Sequence, residues 1–241
     1  MSEIDRMDPG QESQPWSIHR VGVVGMGLIG GSIALDLTQQ GVEVQGLVHR
    51  EVTAERARSR GLAPLVSTDP SCLQDCDLVI LALPLESLLT PEESLLNALP
   101  EQAVVTDVGS VKAEVLAVWR DLHPRFVGSH PMAGTAQAGV DAGLPGLFCG
   151  RPWVSTPESA TDPAALEVIH QLAVRLGSHW LTADAARHDQ AVALISHLPV
   201  IVSAALLRAV GEERDPAVLD LARTLASSGF ADTSRVGGGN P

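Results

Sequence analysis

Apolar and polar residues alternate in blocks along the first 130 residues, and the blocks predict strands and helices in turn. Short β-branched or wholly apolar runs predict strands at residues 20–24, 42–48, 77–83, 103–108 and 126–128. The segments between them predict helices at residues 28–40, 51–60, 86–98 and 112–121. This alternation is typical of a doubly wound parallel Rossmann sheet, which binds its ligands beyond the carboxyl ends of the strands.

The pattern changes after about residue 182. Residues 184–210 predict one long helix, interrupted or kinked near Pro199, and a second helix is predicted from about residue 216 to 227. Residues 227–235 are predicted to be turn-rich rather than helical. We therefore expect a disordered tail at 1–18, a dinucleotide-binding Rossmann domain at 19–182, and an all-helical C-terminal domain at 183–241. The closing GGGNP suggests that this domain is C-terminally incomplete.

Composition narrows the function classes. A formal net charge of −13 would repel a polyanion, so nucleic acid is not expected as a partner. Three cysteines without framework spacing indicate a reducing compartment, and we assign no metal. The polar N-terminus lacks the features of a targeting peptide, and the apolar stretch at 191–207 looks too short and too polar for a membrane span. We expect a cytoplasmic protein with no membrane partner.

A glycine-rich segment follows the first strand and opens the first helix. Its spacing, Gly25-x-Gly27-x-x-Gly30, matches the dinucleotide-binding fingerprint in the strand–helix context that the fingerprint requires. Gly25 would permit the tight turn, Gly27 would let the backbone approach a pyrophosphate, and Gly30 would let helix and strand pack closely. A glycine-rich turn without a ligand is the alternative. Three neighbouring residues are assigned to the same cofactor site: Leu28, Ile29 and Pro84.

The end of the second strand indicates which dinucleotide is bound. NAD sites usually place an acidic residue there for the ribose 2′-hydroxyl, whereas this chain has His49 and Arg50. A guanidinium can bind a 2′-phosphate in a bidentate manner, so we predict NADP rather than NAD. The alternative is that Arg50 is a solvated surface charge.

Two further strand ends carry polar side chains. Ser110 follows the strand at 103–108 and is expected to point into the cleft, or alternatively to cap the next helix. His130 follows the strand at 126–128, in the segment 128–135 that ends at Thr135. An imidazole at that place could act as a general base near neutral pH, although a lone histidine often has a structural role.

The helical domain contributes two candidates. Ser196 belongs to a polar stripe on the long helix that also includes Asp189 and Ser203, and the stripe either lines a pocket or makes contacts between helices. Arg235 is the best candidate for binding a substrate carboxylate as a fork, and a surface salt bridge is the alternative.

These segments together resemble the prephenate/arogenate dehydrogenase family from residue 21 to 241. The markers are GVVGMGLIGGS, VTDVGSVK, GSHPMAGT, DQAVALISHLPV and ASSGFADTSRVGGGNP, and the last two are similar to NADP-using arogenate dehydrogenases. The resemblance implies an oxidative decarboxylation of a cyclohexadienol in tyrosine biosynthesis. It also implies a homodimer formed through the helical domain.

The resemblance assigns a role to each candidate. His130 would take the proton of the ring hydroxyl, and Ser110 would hydrogen-bond the same hydroxyl or orient His130. Arg235 would bind the side-chain carboxylate of the substrate, while Ser196 and Thr135 would line its pocket.

One departure from the family bears on the substrate. Some prephenate-using relatives carry a second histidine three residues after the first in the SHLP block, where this chain has Val200. We therefore favour arogenate over prephenate, with a prephenate dehydrogenase that forms 4-hydroxyphenylpyruvate as the alternative. Hydroxyacid and imine reductases usually place a lysine on the long helix, and residues 184–207 contain none. A non-catalytic NADP-sensing protein would not need Ser110, His130 and Arg235 together.

Overall fold

The computed structural model describes residues 16–135 and 137–237. It divides into two compact units, Met1–His188 and Asp189–Pro241, which are considered separately below. The N-terminal unit contains the strands of two sheets, and the second unit is helical over the residues described.

A six-stranded parallel sheet forms the centre of the N-terminal unit, and five of its strands are those that the sequence predicts. Residues 65–67 form a sixth strand that was not predicted. The strands of the sheet run in the order β3-β2-β1-β4-β5-β6, so the direction of winding reverses between β1 and β4. Such a reversal opens a crevice at the carboxyl ends of the two strands. The strands are β1 (Arg20–Val24), β2 (Glu43–Leu47), β3 (Leu65–Ser67), β4 (Leu78–Leu81), β5 (Val104–Asp107) and β6 (Phe126–Val127).

Apolar clusters cover both faces of this sheet, so its central strands β4 and β5 are buried on both sides. The helices between the strands are α1 (Leu28–Gln39), α2 (Glu51–Ser59), α3 (Leu85–Leu89), α4 (Glu93–Ala98) and α5 (Ala113–Trp119). The single helix predicted at 86–98 is wrong, since α3 and α4 are separate helices. Pro91 disfavours the helical conformation of the residue before it, and Thr90 has φ −134° and ψ 69°.

A second sheet of three strands, which the sequence pattern does not predict, follows in the same unit. It consists of β7 (Ser129–Pro131), β8 (Pro152–Ser155) and β9 (His179–Thr182), with β7 antiparallel and β9 parallel to β8. Helix α6 (Pro163–Arg175) joins β8 to β9. Its N-terminus is capped, because the Asp162 side chain accepts a hydrogen bond from the Ala164 amide and Pro163 occupies the first turn.

The end of the predicted tail is part of the N-terminal unit. Ile18 is buried in the core, and Trp16 packs against the core with the guanidinium of Arg175 5.0 Å from its ring centroid. Residues 16–18 are therefore packed rather than disordered, and the rest of the predicted tail, 1–15, lies outside the described residues.

A helix of 27 residues, Ala185–Gly211, leads into the helical unit. It consists of α7 (Ala185–Val192), a π-helical turn (Ala193–His197) and α8 (Leu198–Gly211), so the disturbance predicted near Pro199 is confirmed. Helices α9 (Pro216–Leu225) and α10 (Ser228–Ser234) follow. By length and composition this long helix could also cross a membrane, contrary to the expectation from its sequence. Those two properties do not distinguish a membrane span from a helix that another protein surface covers.

Helix α10 corrects the prediction of a turn-rich segment at 227–235. The Ala231 amide donates to the Ser227 carbonyl, and the Thr233 hydroxyl donates to the Gly229 carbonyl at 2.8 Å. These local bonds let a sequence rich in glycine, serine and threonine form a short helix, although such residues have low helical propensity.

Candidate active site

A cleft of about 1220 Å³ opens in the N-terminal unit beyond the carboxyl ends of β1, β2 and β4. It lies at the reversal of winding between β1 and β4, where open α/β sheets bind ligands. All eight residues assigned to the cofactor from the sequence line this cleft: Gly25, Gly27, Leu28, Ile29, Gly30, His49, Arg50 and Pro84.

Each of the three glycines has a distinct environment. Gly25 has φ +91°, and a Cβ there would lie 2.2 Å from the Ala82 carbonyl oxygen. A Cβ at Gly30 would lie 2.0 Å from the Gly25 carbonyl oxygen, so only glycine permits this close packing of α1 on β1. A Cβ at Gly27 would meet no atom within 4 Å. Gly27 therefore leaves space on the cleft side, through which a ligand can reach the backbone.

The start of α1 is suited to an anionic group. Gly27 is the N-cap residue, no side chain caps the helix, and the first turn contains no acidic residue. The first backbone amides of α1 are thus available to donate hydrogen bonds to an anionic group, and the helix dipole adds to the attraction. Together with the open space at Gly27, this arrangement fits the pyrophosphate of a dinucleotide.

The β2 side of the cleft is basic rather than acidic. His49 and Arg50 are both exposed, and Arg50 is the N-cap residue of α2. Over the residues described, no ion pair involves Arg50, whereas Arg56 and Arg58 of α2 pair with Asp141 and Glu51. The guanidinium of Arg50 is therefore uncommitted at the cleft.

A loop at residues 137–146, here termed the strap, supplies a further wall of the cleft. Two arginines hold it: Arg56 of α2 donates from Nε to Asp141 Oδ1 at 2.7 Å, and Arg60, the C-cap residue of α2, donates to the carbonyls of Val140 and Gly143. Two side chains of α1 accept hydrogen bonds from its amides, Ser32 from Leu144 and Asp36 from Gly146. Burial raises the pKa of Asp36, while the Gly146 amide acts in the opposite direction.

The segment after β5 contains a fully buried ion pair between Asp107 and Lys112. Burial raises the pKa of Asp107, and the Lys112 ammonium opposes this effect. The pair also fixes the backbone of Ser129, because Asp107 Oδ1 accepts from its amide at 3.2 Å and Lys112 Nζ donates to its carbonyl at 2.8 Å. Ser129 immediately precedes His130, so this network positions the strand that carries the candidate base.

His130 lies in β7, at the same edge of the parallel sheet as the ends of β5 and β6, and is buried. It is not among the residues that line the cleft. Its Nδ1 lies 3.0 Å from Nε2 of His188, which is buried in the first turn of α7. The two rings meet edge to face with centroids 5.2 Å apart.

Ser110 and Thr135 are both exposed and lie outside the cleft lining. The alternative that Ser110 caps a helix is wrong, because α5 begins at Ala113 and its N-cap residue is Lys112. The hydroxyl of Thr135 accepts a hydrogen bond from the Gln137 amide at 3.2 Å, which connects it to the start of the strap.

The candidates of the helical unit are exposed within that unit. Ser196 lies in the π-helical turn, and Arg235 follows the last residue of α10. Ser203, from the same predicted stripe, is buried and accepts a hydrogen bond from the Gly237 amide at 2.8 Å. For Ser203, the structure therefore supports a packing contact over a pocket lining.

Asp107, Lys112, His188 and the strap carry no signal in the sequence pattern that marks them as functional. Asp107 and Lys112 flank the segment that contains Ser110, but their burial depends on tertiary packing that periodicity does not reveal. His188 is a histidine near the start of a predicted helix, and nothing local to it indicates contact with His130, 58 residues earlier. Over the described residues, no group of three or more potential metal ligands occurs.

Two family models match the chain. Residues 33–182 match "Prephenate dehydrogenase, nucleotide-binding domain", and residues 184–241 match "Prephenate dehydrogenase, dimerization domain". The chain belongs to the prephenate/arogenate dehydrogenase family.

Individual relatives agree with this assignment. The chain is 30% identical over 226 residues to cyclohexadienyl dehydrogenase of Zymomonas mobilis, covering 92% of this chain and 77% of the relative. It spans 60% of the length of the prephenate dehydrogenases of Bacillus subtilis and Lactococcus lactis.

Two solved structures are also similar. Synechocystis arogenate dehydrogenase superimposes with a TM-score of 0.79 at 45% identity, over 92% of this chain and 80% of that one. Prephenate dehydrogenase from A. aeolicus, in complex with hydroxyphenyl propionate and NAD+, superimposes with a TM-score of 0.86 at 29% identity. This second match covers 95% of this chain and 81% of the other.

Proposed function

We propose that this protein is an NADP-dependent arogenate dehydrogenase, which converts arogenate to tyrosine and carbon dioxide in tyrosine biosynthesis. The observation that carries the proposal is the cleft itself, in which a glycine loop, an uncapped helix start and an uncommitted arginine occur together. Family membership supplies the reaction class, since the matched family is named for dehydrogenases of this chemistry.

Arg50 supports NADP over NAD. A carboxylate at the end of β2 would repel a 2′-phosphate, and residues 47–50 contain none. The carboxylate of Asp141 also lines the cleft, but Arg56 binds it at 2.7 Å. The guanidinium of Arg50 can therefore bind a 2′-phosphate without first breaking an ion pair within the described structure.

In this proposal NADP, when bound, accepts the hydrogen that leaves the ring carbon with its electron pair. His130 accepts the proton of the ring hydroxyl as the carbon–oxygen bond of that alcohol becomes a carbonyl. Loss of the ring carboxylate as carbon dioxide returns two electrons to the ring, which becomes aromatic. His130 then gives its proton back to the resulting phenolate oxygen, so protons and charge balance without a metal ion.

The remaining roles are assigned by the family resemblance. Ser110 hydrogen-bonds the ring hydroxyl or orients His130. Arg235 binds the side-chain carboxylate of the substrate, and Ser196 and Thr135 line its pocket. Each role concerns positioning, which lowers the barrier by holding the reacting groups in one geometry.

Arogenate is favoured by Val200, which replaces the second histidine found in some prephenate-using relatives. The 45% identity to the Synechocystis arogenate dehydrogenase points the same way. Prephenate with NAD is the second candidate, because the A. aeolicus prephenate dehydrogenase with NAD+ is also similar in structure.

We further propose that the protein acts as a cytoplasmic homodimer joined through its helical unit. The matched dimerization-domain family model supports this assembly. The exposed apolar side chains of the unit support it too, since they include Leu194, Ile195 and Ile201.

One steady-state assay tests the proposal. Reduced cofactor is measured for arogenate and prephenate, each with NADP and with NAD, using wild type and Arg50→Gln. We expect the highest kcat/KM for arogenate with NADP. We also expect Arg50→Gln to raise the KM for NADP about 10-fold or more and to leave the KM for NAD nearly unchanged. Equal or better use of NAD by wild type would overturn the cofactor assignment, and preference for prephenate would overturn the substrate.

A further inference from the structure

The contact between His130 and His188 has a chemical consequence for the proposed base. Both imidazoles are buried, and the 3.0 Å separation of His130 Nδ1 and His188 Nε2 is a hydrogen-bond distance. Two ring nitrogens at this distance share one proton, so one ring donates and the other accepts.

The location of that proton decides whether His130 can act. If Nδ1 of His130 carries it, Nε2 of the neutral ring has a lone pair and can accept a proton from substrate. If His188 donates instead, neutral His130 carries its proton on Nε2 and has no basic nitrogen on that side. Once His130 is protonated, both its nitrogens are donors, and only an acceptor at His188 Nε2 preserves the bond.

We propose that His188 is a positioning residue for His130, which accepts a hydrogen bond from Nδ1 and thereby keeps Nε2 as the basic nitrogen. The inference rests on the proposed function, because it gives His188 its role through His130 as the base. In other enzymes, a third group commonly holds a catalytic histidine in the correct tautomer, and removing that group slows turnover severely.

The backbone around His188 is built to hold the ring in place. Asp184 precedes α7, its carbonyl accepts from the His188 amide at 2.8 Å, and its carboxylate accepts from the Arg187 amide at 2.9 Å. On the other side, the Ser129 backbone is held by the Asp107–Lys112 pair. Both histidines therefore project from segments whose backbones are fixed by hydrogen bonds.

Three substitutions test the role by kinetics. His188→Leu removes the acceptor and is expected to lower kcat about 100-fold or more, with the KM for NADP within about 2-fold of wild type. His188→Gln can place its amide oxygen near the former position of Nε2 and is expected to recover kcat to within about 10-fold of wild type. His170→Leu is the matched control, because His170 packs on Trp180 outside the site and should leave kcat unchanged.

A spectroscopic measurement tests the tautomer without relying on activity. Ring ¹⁵N chemical shifts of neutral His130 in wild type should report a proton on Nδ1. In His188→Leu they should shift toward the Nε2-protonated form. An Nε2-protonated ring in wild type would overturn the inference, even if the leucine variant proves unstable.

His130→Asn separates this inference from the proposed function. Turnover within a few-fold of wild type in that variant would remove His130 as the base and the proposed mechanism with it. If His130→Asn abolishes turnover while His188→Leu does not alter kcat, the base assignment stands and the role of His188 is wrong.

Discussion

At the scale of single residues, the buried pair of Asp107 and Lys112 is expected to contribute strongly to the stability of the N-terminal unit. Both side chains are fully buried, and the pair connects the end of β5 to the backbone of Ser129. Replacing one partner would leave an uncompensated charge in the core, which is far more costly than the loss of a surface ion pair.

We therefore expect Lys112→Met to lower the free energy of unfolding of the N-terminal unit by about 3–5 kcal/mol. Urea unfolding followed by tryptophan fluorescence measures this, since all four tryptophans lie within residues 16–180. Asp107→Asn combined with Lys112→Met should recover much of the loss, because no charge then remains unpaired. Arg208→Met, which breaks an exposed pair with Glu212, serves as the control and should change little. A Lys112→Met protein as stable as wild type would show that the pair is not structurally important.

The residues that line the cofactor cleft could be predicted from the sequence, whereas the contacts around the candidate base His130 could not. Glycines at fixed spacing after a strand report a local backbone requirement, and Gly25 and Gly30 have the steric environments expected of them. The contact of His130 with His188 depends on the second sheet and on α7, which bring together residues 58 positions apart. No local pattern encodes such a contact.

At the scale of elements, the strap is the feature that sequence patterning missed. Its residues have no regular periodicity, and its conformation comes from contacts with α1 and α2 rather than from its own propensities. Five of the six parallel strands were predictable because each lies in a short apolar or β-branched run between helical segments. Strand β3 was not, because it has three residues and its Leu65 is exposed. The second sheet was not predicted, because β7, β8 and β9 each contain proline or polar residues instead of a continuous apolar run.

The strap should determine how tightly the cofactor binds. Arg56→Gln removes the bond to Asp141, and we expect the KM for NADP to rise about 5-fold with kcat unchanged, since a loosened wall must be ordered on binding. Asp141→Asn should have the same effect. NAD should show a similar rise, because the strap acts without contacting the 2′-phosphate.

Arg58→Gln provides the matched control on the same helix. Arg58 binds Glu51 and the Val66 carbonyl instead of the strap, and the substitution removes the same charge. Equal effects of Arg56→Gln and Arg58→Gln would indicate general electrostatics. A rise confined to NADP would indicate direct binding of Arg56 to the 2′-phosphate, and either result would contradict the role of the strap.

At the scale of the whole molecule, the helical unit is short of a core of its own. Within its described residues, Val192 and Ser203 are buried, while many large apolar side chains are exposed. They include Leu194, Ile195, Ile201, Leu221 and Leu225, each between 58% and 69% exposed. An exposed apolar surface of this kind commonly marks a site of interaction with a protein or a membrane, and residues 184–241 match a family model described as a dimerization domain.

We expect the purified protein to be a dimer by light scattering at micromolar concentration. Ile201→Glu should shift it to monomer, because a second subunit that covers this exposed apolar position would desolvate an unpaired carboxylate. Val174→Glu places the same charge at an exposed apolar position of α6 in the other unit and should leave the dimer intact. Flotation with phospholipid vesicles tests the membrane alternative for the long helix. A wild-type protein that is monomeric and floats with the vesicles would show that lipid, and not a second subunit, covers this face.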